Sequence, residues 1–72
     1  MDYGELKESI AEVLTNDKIN KTNLMVQYSF DVDDFNKIFL TFLGEFGGVF
    51  ESTTKYFDIE SEGIIFRCLK NG

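Results

Sequence analysis

The run from Asp31 to Phe46 is the part of this chain that most restricts its fold. Its apolar residues recur at helical spacing and form one broad stripe: Val32, Phe35, Ile38, Phe39, Phe42, Leu43 and Phe46. Asp31 is a suitable N-cap, and Asp33 and Asp34 in the first turn suit the helix dipole. Gly47-Gly48 follows, as is typical after a helix. We expect a helix over 31–46 that organises the core.

The length of the chain limits it to one small domain. It has 72 residues, of which 43% are hydrophobic, so it has enough apolar side chains to form a core. Asp2 to Thr15 predicts another amphipathic helix, because apolar residues again recur at helical spacing: Tyr3, Leu6, Ile10, Val13 and Leu14. We expect one domain over residues 1–72.

The segment from Lys18 to Phe30 is compatible with two structures. Leu24–Phe30 is rich in strand-forming residues and alternates in part, which favours a strand. The same segment also fits a short helix capped by Thr22 or Asn20. Local propensity alone does not choose between these alternatives.

Beyond Gly48 the apolar residues follow a period of two. Val49–Ser52 and Lys55–Glu60 are predicted to be two strands joined across Thr53-Thr54. Ile64–Leu69 is either a third strand or the beginning of a terminal helix.

If Lys18–Phe30 contains a helix, the order of elements is that of a winged helix-turn-helix. Several stretches resemble parts of small archaeal winged-helix regulators: Lys21–Met25, Phe30–Val32 with Phe35, Ile38-Phe39 with Phe42, Gly48–Phe50 and Tyr56–Phe66. The resemblance extends from Ile10 to about Leu69. It implies an α+β fold of three helices plus a β-hairpin wing, as a single winged-helix domain over 1–72. The alternative is an α-β-α-β-β two-layer sandwich, in which Leu24–Phe30 is a strand.

The resemblance implies a winged-helix DNA-binding protein that regulates transcription, acting as a homodimer on double-stranded DNA. Its third helix would enter the major groove and its wing would contact the DNA backbone. The candidate base-reading residues are Asn36, Lys37 and Thr41. The candidate backbone contacts are Lys18, Lys21, Thr53, Thr54 and Lys55.

The charge of the chain favours a second hypothesis. Thirteen acidic residues against seven basic ones give a net charge of -6, whereas DNA binding draws on Lys and Arg. Asp31, Asp33 and Asp34 lie at the start of the helix that the resemblance assigns to DNA. They are the candidate partner-binding residues of an acidic protein-interaction module, or of an inhibitor that binds a basic nucleic-acid-binding surface of another protein.

The residue composition argues against several other classes of protein. The chain has no His and a single cysteine, Cys68, so we expect no internal disulfide, no zinc site and no His-based catalysis. We expect no enzyme activity, no metal and no cofactor. No apolar run has the length of a membrane span, and Met1–Gly4 does not begin a signal peptide, so we expect a cytoplasmic protein.

Overall fold

A mixed three-stranded sheet and two helices make up the described part of the chain, residues 1–46 and 55–71 of a computed structural model. The elements, in order, are α1 (Tyr3–Thr15), β1 (Met25–Phe30), α2 (Val32–Phe46), β2 (Tyr56–Ser61) and β3 (Ile64–Lys70). The strand order is β1-β3-β2. The central strand β3 is parallel to β1 and antiparallel to β2.

The prediction of a winged helix is wrong. The described residues form two helices instead of three, and β1 occupies the segment that the winged-helix hypothesis made its second helix. The observed hairpin joins β2 to β3, so the last element is a strand. Val49–Ser52 and Thr53-Thr54 lie outside the described residues. The observed order of elements is that of the alternative, an α-β-α-β-β chain in the α+β class.

Asparagine-based turns explain why no helix forms before β1. The Asn16 Oδ1 atom accepts a hydrogen bond from the Lys18 N–H at 2.9 Å, and the Asn20 Oδ1 atom accepts one from the Thr22 N–H at 3.0 Å. Asn23 adopts a positive φ of 55°, which asparagine tolerates better than most residues. These local bonds compete with helix formation, and the chain enters β1 extended.

A two-residue turn sets the register of the β2–β3 hairpin. Glu62 and Gly63 both have positive φ, 51° and 79°, as in a type I′ turn, which matches the twist of the flanking strands. The resulting register places Phe57 opposite Cys68 and Ile59 opposite Phe66.

Both helices contribute to a core on one face of the sheet. The buried residues are Leu6, Ile10, Phe30, Phe35, Ile38, Phe57, Ile64, Phe66 and Cys68. Phe57 lies at the centre of an aromatic cluster contributed by α2. Its ring centroid is 5.5 Å from that of Phe35, 5.6 Å from that of Phe39 and 5.1 Å from that of Phe42. The phenylalanine stripe of α2 therefore holds this helix against the sheet.

The N-cap predicted at Asp31 is confirmed, because its Oδ1 atom accepts a hydrogen bond from the Asp34 N–H at 2.8 Å. We expect Asp31→Ala to lower the free energy of unfolding by about 1 kcal/mol, since this amide loses its acceptor. Urea unfolding of the purified variant measures the change. Asp33→Ala, in the same turn, is the control and should cost only a few tenths of a kcal/mol through the helix dipole. Equal losses would contradict the capping role.

Candidate interaction site

The lysines that the DNA-binding hypothesis places on one face are separated in the structure. Lys18 and Lys21 lie in the loop after α1, and the Lys21 Nζ atom donates a hydrogen bond to the Asn16 carbonyl at 2.7 Å. Lys37 instead lines a groove with the first residues of the chain, at the other end of α1. The 13 residues of α1 span about 20 Å. These three cations therefore do not form one continuous patch.

Lys55 lies at the end of the sheet that is remote from Lys21. Its carbonyl accepts a hydrogen bond from the Lys70 N–H at 2.8 Å, at the end of β3. The Lys21 carbonyl accepts one from the Leu24 N–H, just before β1 begins. Because β1 and β3 are parallel, these bonds mark opposite ends of the sheet. Thr53 and Thr54 lie outside the described residues.

The three predicted base-reading residues of α2 are all exposed, and two of them line a groove. Lys37 and Thr41 line the groove beside the chain's first residues, which has a volume of about 470 Å³. The Thr41 hydroxyl donates a hydrogen bond to the Lys37 carbonyl of its own helix at 2.9 Å. Asn36 is exposed and is not part of this groove. Of the three predicted base-reading residues, two therefore line this groove and the third does not.

Two of the three predicted partner-binding aspartates have contacts within the chain. Asp31 caps α2, as described above. The Asp34 Oδ2 atom lies 3.9 Å from the amino group of Met1. Asp33 is exposed in the first turn. These contacts explain much of the acidic start of α2 without a partner.

A row of glutamates on α1 was not assigned a role by the sequence reasoning. Glu5, Glu8 and Glu12 are exposed, and their spacing of three and four residues places them on one side of the helix, away from the buried Leu6 and Ile10. We call these three glutamates the acidic stripe. No member of the stripe forms an ion pair with any residue that the structure describes. The sequence already placed them on the polar side of α1, and the structure adds that none of them pairs with a cation of the described residues.

Lys7 does not neutralise the acidic stripe, because it pairs with α2. Its Nζ atom lies 3.2 Å from the Glu45 Oε1 atom, and the Tyr3 hydroxyl donates a 2.6 Å hydrogen bond to the other oxygen of Glu45. The bond from Tyr3, followed by the bond from Lys7, lowers the pKa of the Glu45 carboxyl. Burial, followed by the bond to Glu45, raises the pKa of Tyr3. This cluster ties the first turns of α1 to the end of α2.

A mainly apolar groove of about 310 Å³ lies between α1 and β2. Its helical wall is formed by Tyr3, Lys7, Ile10, Ala11 and Leu14, and its strand wall by Ile59, Glu60 and Ser61. Among the described residues, Lys7 is the one cation that lines it, and its charge is paired with Glu45. Glu8 precedes Ala11 by three residues, and side chains at this spacing are neighbours on a helix surface. Glu8, one member of the acidic stripe, therefore lies beside the helical wall of the apolar groove. We call this combined surface the α1 site.

The sheet face that the helices leave uncovered is mixed in character. Arg67 forms a bidentate pair with Asp58, with N–O distances of 2.8 and 3.0 Å. Its guanidinium also lies 4.3 Å from the ring centroid of Tyr56. The hydrogen bond to Asp58 is the main reason that the pKa of Arg67 is raised. These mutual contacts leave little of the arginine's charge available for an external anion.

The described residues hold no group of His, Cys, Asp and Glu side chains arranged to bind a metal ion. Across the same residues, neither helix is long and apolar enough to cross a membrane.

Comparison of the chain with protein-family models, with curated proteins and with solved structures gave no significant match. The family resemblance stays a prediction, and the function has to be argued from the residues of this chain.

Proposed function

We propose that this chain is a non-catalytic interaction module that binds a basic segment of another protein at the α1 site. The proposal is supported by one observation: no ion pair within the described residues neutralises the exposed acidic stripe, whose Glu8 lies one helical turn from Ala11 of the apolar groove. Protein interfaces commonly combine an apolar centre with a polar rim. A partner segment that carries both basic and apolar side chains complements both parts of this surface.

Electrostatics within α1 supports the same conclusion. Glu5 and Glu8 are three residues apart and Glu8 and Glu12 are four apart, so each pair repels across one helical turn. Like-charge pairs at this spacing cost a helix about 0.2–0.5 kcal/mol each. A basic partner turns this repulsion into attraction and is drawn towards the stripe over distance.

DNA binding stays a prediction, but its proposed contacts were placed on a winged helix that the chain does not form. The lysines assigned to DNA lie at both ends of α1 and at both ends of the sheet. The acidic-module hypothesis needs no winged helix. An inhibitor that covers the nucleic-acid-binding surface of another protein is one case of it, because such surfaces are basic.

Titration with a defined peptide tests the proposal. The probe is a fluorescent peptide of alternating Lys and Leu, about ten residues long, whose anisotropy is followed at low salt. We expect salt-sensitive binding that the double variant Glu8→Lys/Glu12→Lys weakens at least about tenfold, or about 1.4 kcal/mol. The matched control is Asp17→Lys/Asp33→Lys, which changes the net charge equally outside the α1 site and should lose less than about threefold.

Two results would count against this proposal. Equal losses in the two double variants would mean that the peptide responds to overall charge and not to the stripe. Binding of a DNA duplex by the unmodified chain, with no binding of the peptide, would favour the DNA-binding regulator instead. Ala11→Trp tests the apolar part separately, because it should fill the groove and weaken peptide binding without changing the charge.

A further inference from the structure

The edge strand β1 lacks the features that normally prevent pairing with another strand. The strand order leaves its outer side unpaired in the described part of the chain. Its sequence, MVQYSF, contains no charged residue, no proline and no glycine. The opposite edge strand, β2, carries Asp58 and Glu60. Natural edge strands usually carry charges, prolines or bulges that prevent pairing with another chain. An edge strand without these features indicates that another strand pairs with it.

The direction of the main-chain groups shows which residues of β1 are available. The Leu24 carbonyl accepts a hydrogen bond from the Ile65 N–H at 3.3 Å, and the Phe30 carbonyl accepts one from the Asn71 N–H at 2.9 Å. Alternate residues of a parallel strand bond to opposite sides. The even-numbered residues of β1 therefore face β3, and Met25, Gln27 and Ser29 direct their N–H and C=O groups outwards.

We infer that a second copy of this chain covers this edge, with the two β1 strands antiparallel about a two-fold axis at Gln27. In this register Gln27 lies opposite Gln27 of the second copy, and Met25 lies opposite Ser29. Opposed residues of this kind exchange both of their main-chain hydrogen bonds. The contact is self-complementary, as a two-fold interface requires, and it joins the two sheets into one.

Charge complementarity selects a second copy in this orientation. Lys21 and Asp33 are equally far from Gln27 along the chain, one before β1 and one after it. Antiparallel pairing brings the start of each β1 beside the end of the other, so the segment before β1 that carries Lys21 approaches the start of α2 that carries Asp33 in the second copy. Lys18 also precedes β1, and Asp31 directly follows it, so these two charges are distributed in the same way. Association through β2 would instead bring Asp58 and Glu60 of the two copies together, which like charges oppose.

Sedimentation and light scattering over a concentration series test the dimer. We expect the 8.3 kDa chain to double its mass, with a dissociation constant on the order of micromolar, since the contact is small. Gln27→Pro should yield a monomer, because it removes an outward N–H and leaves the β1–β3 bonds in place. Gln27→Thr keeps this N–H and should remain dimeric. A monomer at all concentrations, or a dimer that survives Gln27→Pro, would overturn the inference.

Disulfide formation tests the register without depending on the proline variant. Opposed residues have Cα atoms about 5.5 Å apart, within the span of a disulfide. In a Cys68→Ala background, Gln27→Cys should therefore cross-link at least about tenfold faster than Ser29→Cys, which lies opposite Met25. Equal rates for the two variants would overturn the two-fold axis at Gln27.

Exchange of charges tests the orientation of the two copies. We expect Lys21→Glu and Asp33→Lys each to weaken the dimer severalfold, and the two together to restore it. Failure of the double variant to recover would contradict the antiparallel arrangement. The inference depends on β1 and its flanks and is independent of whether the α1 site binds a basic segment.

Discussion

Replacing Phe35 by alanine should lower the free energy of unfolding by about 3–5 kcal/mol. Phe35 is 2% exposed and packs against the rings of Phe39 and Phe57, at centroid distances of 5.9 and 5.5 Å. Its removal leaves a cavity where α2 meets the sheet. A domain of this size has a total stability of roughly 4–11 kcal/mol, so the variant should lose a large part of it. Urea unfolding followed by circular dichroism measures the loss.

Leu40 provides a control on the same helix. It is 66% exposed, so Leu40→Ala removes an apolar side chain that contributes little to the core. We expect a change within about 0.5 kcal/mol. Similar losses for Phe35→Ala and Leu40→Ala would mean that α2 does not pack on the sheet through its phenylalanines.

The thiol of Cys68 should be almost unreactive in the folded protein. Cys68 is fully buried on the central strand, and burial, with a smaller contribution from the charge of Asp58, raises its pKa to about 12. At about pH 8 this shift alone lowers the thiolate fraction on the order of a thousandfold, and the thiolate is the reactive form. We expect alkylation by iodoacetamide, followed by mass spectrometry, to be at least about a hundredfold slower in native buffer than in urea.

A variant with an exposed cysteine is the control for the alkylation reaction itself. Ser29→Cys in a Cys68→Ala background places a thiol on the open sheet face and should react rapidly without urea. Alkylation of native Cys68 at the same rate as this exposed thiol would contradict the burial of β3. A rate that follows urea concentration would show that labelling requires unfolding.

The same pKa shift predicts how stability depends on pH. An unfolded chain releases the thiol proton near the ordinary pKa of 9.0, whereas the folded protein retains it up to about 12. Between these values the unfolded state binds fewer protons, so the free energy of unfolding should fall as the pH rises. Unfolding measured at about pH 8 and about pH 10 should show this decline, and Cys68→Ala should reduce it.

The test of peptide binding at the α1 site and the test of dimer formation at the β1 edge are independent, because the two surfaces lie on different elements. Peptide binding by a monomer would support the interaction module without the dimer. If both proposals hold, the dimer carries two copies of the α1 site, and a partner with two basic segments would gain affinity through effective concentration.

Both helices could be predicted from local sequence signals. In α1 and α2 the apolar residues recur every three or four positions, and Asp2 and Asp31 accept hydrogen bonds from Glu5 and Asp34 at the helix starts. These signals depend on neighbours within a few residues, so they can be found without knowing what the helix packs against.

The conformation of β1 and the distribution of charge over the surface depend on contacts between distant parts of the chain. Met25–Phe30 is a strand because it pairs with β3, from the other end of the chain, and no local pattern records a partner that distant. The same packing separates Lys21 from Lys37 and leaves Glu8 beside an apolar groove. Which charges share a surface depends on how helices and strands are arranged in space, and several arrangements bury the same hydrophobic residues.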